Sequence, residues 1–129
     1  MVRFDGGARG NPGPAAAGAV AFLDGEVVSS RGVFLGKKTN NEAEYEGFLL
    51  ALSLYGESGE QGSIEGDSLL ILNQVMGKWK VKATHLREIV IEARKEWNLL
   101  GAPPLRHIPR EENKEADAQV NTVLDQECP

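Results

Sequence analysis

The order of strand-like and helix-like segments constrains this chain more than any other feature. Val2–Phe4 reads as a short strand. The stretch Gly6 to Gly18 is rich in Gly, Pro and Ala, and its Asn-Pro-Gly core signals a turn. Ala19–Leu23 and Val27–Leu35 form a predicted hairpin around Asp24-Gly25. Thr39-Asn40-Asn41 then offers a helix N-cap, with a helix over Glu42–Leu54. Ser63–Gly66 is a brief strand, and Ser68–Met76 a helix. Leu86, Ile89, Val90, Ala93, Trp97 and Leu100 fall on one face of another helix, stopped by Pro103-Pro104. Leu105–Ile108 is a strand and Glu111–Leu124 a last helix. Three leading strands with short connections imply an antiparallel meander. Later strands separated by helices imply parallel additions to the same sheet. The expected fold is α/β: a mixed five-stranded sheet, three strands antiparallel and two parallel, flanked by helices.

A chain of 129 residues fits one domain, 1–129, with no room for a second folding unit. No apolar run approaches the roughly 20 residues of a membrane helix, and MVRFDGGARG lacks the apolar core of a secretory signal. Cys128 is the only cysteine, so neither a disulfide framework nor a cysteine zinc site is possible. A reducing, cytoplasmic setting is the expectation. The net charge of −5 argues against a broad basic surface, yet it is unevenly distributed. Residues 39–77 carry seven acids and no Lys or Arg, whereas 78–114 carry nine Lys/Arg against five acids. An acidic half beside a basic half suggests a cation site next to an anion-binding surface; on charge alone, solvated helix faces are the better explanation.

Of the five aspartates, Asp24 belongs to the hairpin turn and Asp125 to the tail. Asp5, Asp67 and Asp117 sit at junctions: the end of the first strand, the end of the fourth, and the first turns of the last helix. Strand ends in open sheets converge on one rim, and Glu44 can point there from the first helix. Four convergent carboxylates repel one another unless a cation lies between them. An all-oxygen ligand set suits Mg²⁺ or Mn²⁺, and two such ions about 3.5–4 Å apart promote phosphodiester cleavage. Taken singly, each acid reads first as a turn former or helix cap, and spacing alone does not carry the case.

Four blocks, in order, carry a resemblance. Asp5-Gly-Gly-Ala-Arg-Gly-Asn-Pro-Gly-Pro14, Thr39-Asn-Asn-Glu-Ala-Glu-Tyr45, Gly66-Asp-Ser68 and Arg110-Glu-Glu-Asn-Lys-Glu-Ala-Asp117 resemble the signature blocks of type 1 ribonuclease H, in its compact bacterial and archaeal form. The resemblance spans essentially the whole chain and implies the ribonuclease H-like fold. It also implies endonucleolytic hydrolysis of the RNA strand of an RNA–DNA hybrid, leaving 3′-hydroxyl and 5′-phosphate ends. Asp5, Glu44, Asp67 and Asp117 would hold two Mg²⁺ ions, or Mn²⁺, with Asp5 bridging both. Glu44 is chosen over Glu42 and Glu46 because it holds the acid position of its block; the other two are expected to be solvated. Glu44 would also touch the RNA 2′-hydroxyl.

The resemblance further implies that Asn11, Asn40 and Asn41 line the minor groove of the hybrid. Thr39 and Asn11, with Lys37 or Lys38, would grip a DNA phosphate. Of the Asn pair, Asn40 is expected to cap the helix and Asn41 to meet substrate. Lys78, Trp79 and Lys80 interleave cations with an aromatic, as backbone and single-strand binders do, although Trp79 could equally pack on the neighbouring helix. Two departures stand out. Leu69 occupies the place of a groove-contacting Gln, and Gln74 lies on another face. His107 has the spacing of a family loop His but falls on a strand, so Arg110 is expected to hold phosphate instead. His85 is expected at the surface. A monomer with no obligatory protein partner and no membrane is expected. Two rivals are a hybrid-binding module with impaired cleavage and a related nuclease of different substrate preference.

Overall fold

The computed structural model describes residues 1–59 and 61–128. Strands β1 (Val2–Ala8), β2 (Gly13–Leu23) and β3 (Glu26–Lys38) form the antiparallel meander, followed by α1 (Asn40–Ser58), β4 (Ile64–Gly66), α2 (Leu69–Val75), α3 (Arg87–Leu99), β5 (Leu105–His107) and α4 (Lys114–Glu127). Short 3₁₀ turns at Thr84–Leu86 and Arg110–Glu112 lead into α3 and α4. The sheet order is β3-β2-β1-β4-β5, with β4 parallel to both β1 and β5. The architecture is the one the segment order predicts.

The Asp24-Gly25 turn takes positive φ at both residues, 52° and 80°, matching the hairpin chemistry of that dipeptide. The Gly/Pro/Ala stretch differs from expectation. Only Arg9 to Pro12 turns, while Gly6–Ala8 completes β1 and Gly13–Gly18 opens β2. Its small residues make it a strand buried on both faces: Ala15, Ala16, Ala17 and Ala19 are all within 1% of full burial. Asp5 therefore lies in the middle of β1 rather than at its end.

One face of the sheet carries the main core. Val2, Phe4, Ala19, Ala21 and Ile64 meet Tyr45, Phe48, Leu52, Ile71, Leu72 and Val90 from α1, α2 and α3. Phe4 and Phe48 pack edge to face at 5.4 Å. The predicted apolar stripe of α3 is the one used: Leu86, Val90 and Ala93 are buried, and Ile89, Trp97 and Leu100 pack at its margin. On the opposite face α4 lays Ala116, Val120 and Leu124 across β1–β3. No helix among the described residues is long and apolar enough to cross a membrane.

Candidate functional site

Asp5 and Asp67 come together because of where two strands part. The parallel pairing of β1 and β4 ends at Phe4–Gly66, and the next residue of each chain is the aspartate. Beyond that point β1 continues alongside β2 only, leaving a notch at the carboxyl end of the parallel pair, where α/β sheets bind ligands.

Close helix approach on both faces brings in the other two acids. Asp5 pairs across the sheet with Gly18, and Gly18 with Gly32. A Cβ on Gly18 would stand 2.7 Å from Gln119 Cβ and 2.8 Å from Ala116 O. That bare ladder lets α4 lie against the strands, carrying Asp117 within hydrogen-bond reach of Asp5. On the other face a Cβ on Gly47 would meet Asp5 O at 2.4 Å, so α1 sits directly on the β1 backbone and Glu44 reaches the same notch. Asp5, Glu44, Asp67, Asp117, Arg110, Arg9 and Asn40 line one open groove of about 410 Å³.

The groove is electrostatically unbalanced. Burial, then the charge of Asp67, and then Asp117 outweigh the hydrogen bond from the Gly6 N–H and push Asp5 up to about 8. Glu44 is also raised, chiefly by burial and further by Asp67, against the opposing effects of the Ser68 hydroxyl and Arg110. Every donor in this cluster is a carboxylate oxygen. Two amides orient the acids: Asn113 Nδ2 donates to Asp67 Oδ2 at 3.1 Å, and Asn121 Nδ2 to Asp117 Oδ2 at 3.2 Å. Asn113 is fully buried and also donates to Phe4 O at 2.9 Å, tying the start of α4 to β1. Its Oδ1 has no hydrogen-bond partner among the described residues. Sequence reasoning gave Asn113 no role, although it stands inside the Arg110–Asp117 block; an interior Asn among charged residues was the available signal.

The cap of α1 corrects the expected division of labour. Thr39, not Asn40, is the N-cap: its Oγ1 accepts from the Glu42 N–H, and Glu42 Oε1 accepts from the Thr39 N–H. Glu42 is thus a capping-box partner rather than a solvated charge, and the Thr39 bond lowers its pKa. Asn40 does something else. Its Oδ1 accepts from Ala8 N–H, and its own N–H donates to Asn11 Oδ1, each at 3.0 Å. These bonds fasten the Arg9–Pro12 turn to α1 and leave both side-chain NH₂ groups without a bond among the described residues. Glu46, half-buried, is raised by that burial and eased by Lys38.

The remaining expected contacts lie around the groove. Lys37 is exposed at the end of β3; Lys38 lies among Glu42, Glu46, His85, Glu88 and Glu92. Trp79 is 44% exposed, and with Asn41, Lys78, Lys80 and Lys82 it lines a second cavity beside α2. Leu69 is exposed, whereas Gln74 is buried and accepts a 2.5 Å hydrogen bond from the Tyr45 hydroxyl. His107 is exposed on β5 and does not line the acidic groove; His85 is likewise exposed. Arg9 lines the groove and pairs with Asp125, which belongs to α4 rather than to a loose tail.

Comparison with known proteins agrees with this geometry. Residues 3–123 match the reverse transcriptase-like family model. Ribonuclease HI of Halobacterium salinarum is 39% identical over 124 residues, covering 95% of this chain and 62% of that protein. A bifunctional protein of Mycobacterium tuberculosis, Rv2228c, is 33% identical over 128 residues, covering 97% of this chain. The chain spans 62% and 35% of the lengths of these two relatives. Among solved structures, RNase H1 of Halobacterium salinarum superposes with a TM-score of 0.87 at 38% identity, covering 97% of this chain and 96% of that one. LC11-RNase H1, from compost metagenomic material and solved with an RNA/DNA hybrid, gives 0.91 at 34% identity, covering 99% and 98%. Close superposition at 38% and 34% identity over nearly the full length of both chains leads to one assignment: this chain belongs to the type 1 ribonuclease H family.

Proposed function

We propose that this chain is a ribonuclease H, an endonuclease that hydrolyses the RNA strand of RNA–DNA hybrids to 3′-hydroxyl and 5′-phosphate ends. The observation that carries the reading is the meeting of four carboxylates from β1, α1, the end of β4 and α4 in one open groove. Its relative LC11-RNase H1, solved with an RNA/DNA hybrid, supports the substrate class. In this reading residues 1–129 form the catalytic unit.

The groove's chemistry suits divalent cations, although among the described residues no three acids are already gathered as a metal-holding group. Its donors are hard oxygens, the set that suits Mg²⁺ or Mn²⁺. Asp5, raised by burial and then by Asp67 and Asp117, is a carboxyl that a bound cation would return to its charged form. Asp5, Glu44, Asp67 and Asp117 would hold the ions, Asp5 from its central position between Asp67 and Asp117. Two such ions, when bound, would supply Lewis acidity for activating water and for neutralising the departing oxygen.

The chain's own residues do the rest. Asn113 and Asn121 fix the rotamers of Asp67 and Asp117. Arg110, which lines the groove close enough to Glu44 to ease its charge, grips a phosphate oxygen with its planar fork of donors. The free NH₂ groups of Asn11 and Asn40 face sugar edges and phosphates, with Thr39, Asn41 and Lys37 beside them. Lys78, Trp79 and Lys80 take the DNA strand. No protein nucleophile is required: Cys128 lies at the far end of α4, outside the groove.

The test is cleavage of a hybrid labelled on either strand, with Mg²⁺, Mn²⁺ or EDTA, beside double-stranded RNA and DNA. RNA-strand cleavage that needs metal is the expected result. Binding without cleavage under every metal would overturn the enzyme reading, and preference for another duplex would overturn the substrate.

A further inference from the structure

We propose that Arg3 and Glu65 are positioning residues: together they brace the Arg110–Glu112 turn against the central strands and so hold Arg110 over the groove. The kinetic part of this proposal rests on the nuclease reading above; the structural part does not.

Arg3 and Glu65 are register partners on β1 and β4, and Arg3 shares the sheet face of Asp5 two residues on. Glu65 is 2% exposed, an unusual place for a carboxylate. Its oxygens are fully engaged: Oε1 accepts from Arg3 Nε at 3.2 Å, and Oε2 from Ser63 Oγ at 2.8 Å and Arg106 Nη1 at 3.4 Å. This fixes the plane of the Arg3 guanidinium, which also lies 5.2 Å over the Phe22 ring. So oriented, Arg3 Nη1 donates to Glu112 O at 2.9 Å. That carbonyl precedes the first helical bond of α4, from Asp117 N–H to Asn113 O.

The turn is entered from Ile108, which is buried and donates its N–H to Gly66 O, and it closes on its own bonds from Glu112 N–H to Pro109 O and Asn113 N–H to Arg110 O. None of its own three residues is buried, so side-chain packing within the turn does not set where Arg110 stands. Arg3 fastens residue 112, and Asn113 fastens the next to Phe4 O. Stability alone explains the arrangement poorly, since buried ion pairs are often replaceable by apolar residues without loss. Orientation explains it better. A guanidinium that grips phosphate must be placed to within a fraction of an ångström, and misplacement by about 1 Å can cost up to about a hundredfold in rate.

The experiment compares the wild type, Glu65→Ala, Glu65→Gln and Arg110→Ala, singly and in combination. Glu65→Ala should lower kcat for hybrid cleavage about tenfold with KM within about twofold. Glu65→Gln keeps an acceptor for Arg3 Nε and should restore most of that loss. In the Arg110→Ala background, Glu65→Ala should cost nothing further, because residues that act through one another do not add. Native-state hydrogen exchange should show the Glu112 and Asn113 amides exchanging about tenfold faster in Glu65→Ala. Should Glu65→Ala lose cooperative unfolding, Arg3→Met keeps the stem over Phe22 while removing both donors, and carries the same comparison. An unchanged kcat, or an equal loss with and without Arg110, would overturn the brace. If the wild type cleaves nothing, the nuclease reading falls, and amide exchange still decides the brace: faster exchange supports it and unchanged exchange overturns it.

Discussion

Replacing Asp5 by Asn should stabilise the metal-free protein, and only above the ordinary carboxylate range. Asp5 is driven from 3.8 to about 8 by burial and by Asp67 and Asp117. A group whose folded pKa is raised binds its proton more tightly when folded. Its unfavourable contribution is therefore absent below about pH 4, grows as pH rises, and levels off above about pH 8. The shift sets a ceiling of about 4 kcal/mol at pH 7, rising to about 6 kcal/mol above pH 8. Relaxation of side chains and water entry around an open groove reduce that to about 2–3 kcal/mol, still a sizeable fraction of a domain's stability. Thermal unfolding followed by circular dichroism in EDTA at pH 4.5 and pH 8 reads this directly. At pH 8 Asp5→Asn should melt roughly 10 °C above the wild type, and at pH 4.5 the two should nearly coincide. Millimolar Mg²⁺ should raise the wild-type midpoint and leave the variant almost unmoved. The same variant should lose hybrid cleavage, so stability and activity move in opposite directions. No gain at pH 8, or an equal gain at both pH values, would refute the view that these carboxylates are held together against their repulsion.

Three further outcomes follow from named contacts. Thr39→Ala breaks the capping box and should lower unfolding free energy by about 1 kcal/mol in urea titrations, with little change in m. Gly47→Ala drives a methyl into the Asp5 carbonyl, 2.4 Å away, and should cost about 2–4 kcal/mol, as well as most cleavage activity, because α1 carries Glu44. Lys78→Ala and Lys80→Ala should each weaken hybrid binding and reduce the slope of log affinity against log salt by roughly one; an unchanged slope would remove those lysines from the phosphate contacts.

Much of the fold was legible because its signals are local. The Asp24-Gly25 dipeptide specifies a hairpin by its backbone freedom, and the spacing from Leu86 to Leu100 specifies one buried face of α3. The Ala15–Gly18 stretch was misread for the opposite reason. Small residues look like loop in a sequence, yet here they form a strand because helices press on both faces and leave no room for larger ones. The helix cap was located to within one residue, but its assignment to Asn40 failed. Asn is the stronger cap in isolation, but Asn40 is taken by the Ala8 N–H, a partner 32 residues away, which leaves the cap to Thr39.

The sequence by itself determined the order of elements, the five-stranded mixed sheet and the identity of four acids worth watching, since each depends on neighbours along the chain. Only the tertiary structure decided that those acids meet. Asp5 lies in mid-strand and becomes accessible because β4 ends its pairing one residue earlier; no periodicity encodes where a partner strand stops. Glu44 and Asp117 arrive because glycines on both faces let two helices approach the same residue of β1. The Arg3–Glu65 pair and the buried Asn113 link positions 62 and 109 residues apart. Such links are set by register and packing, which a linear reading of the chain does not carry.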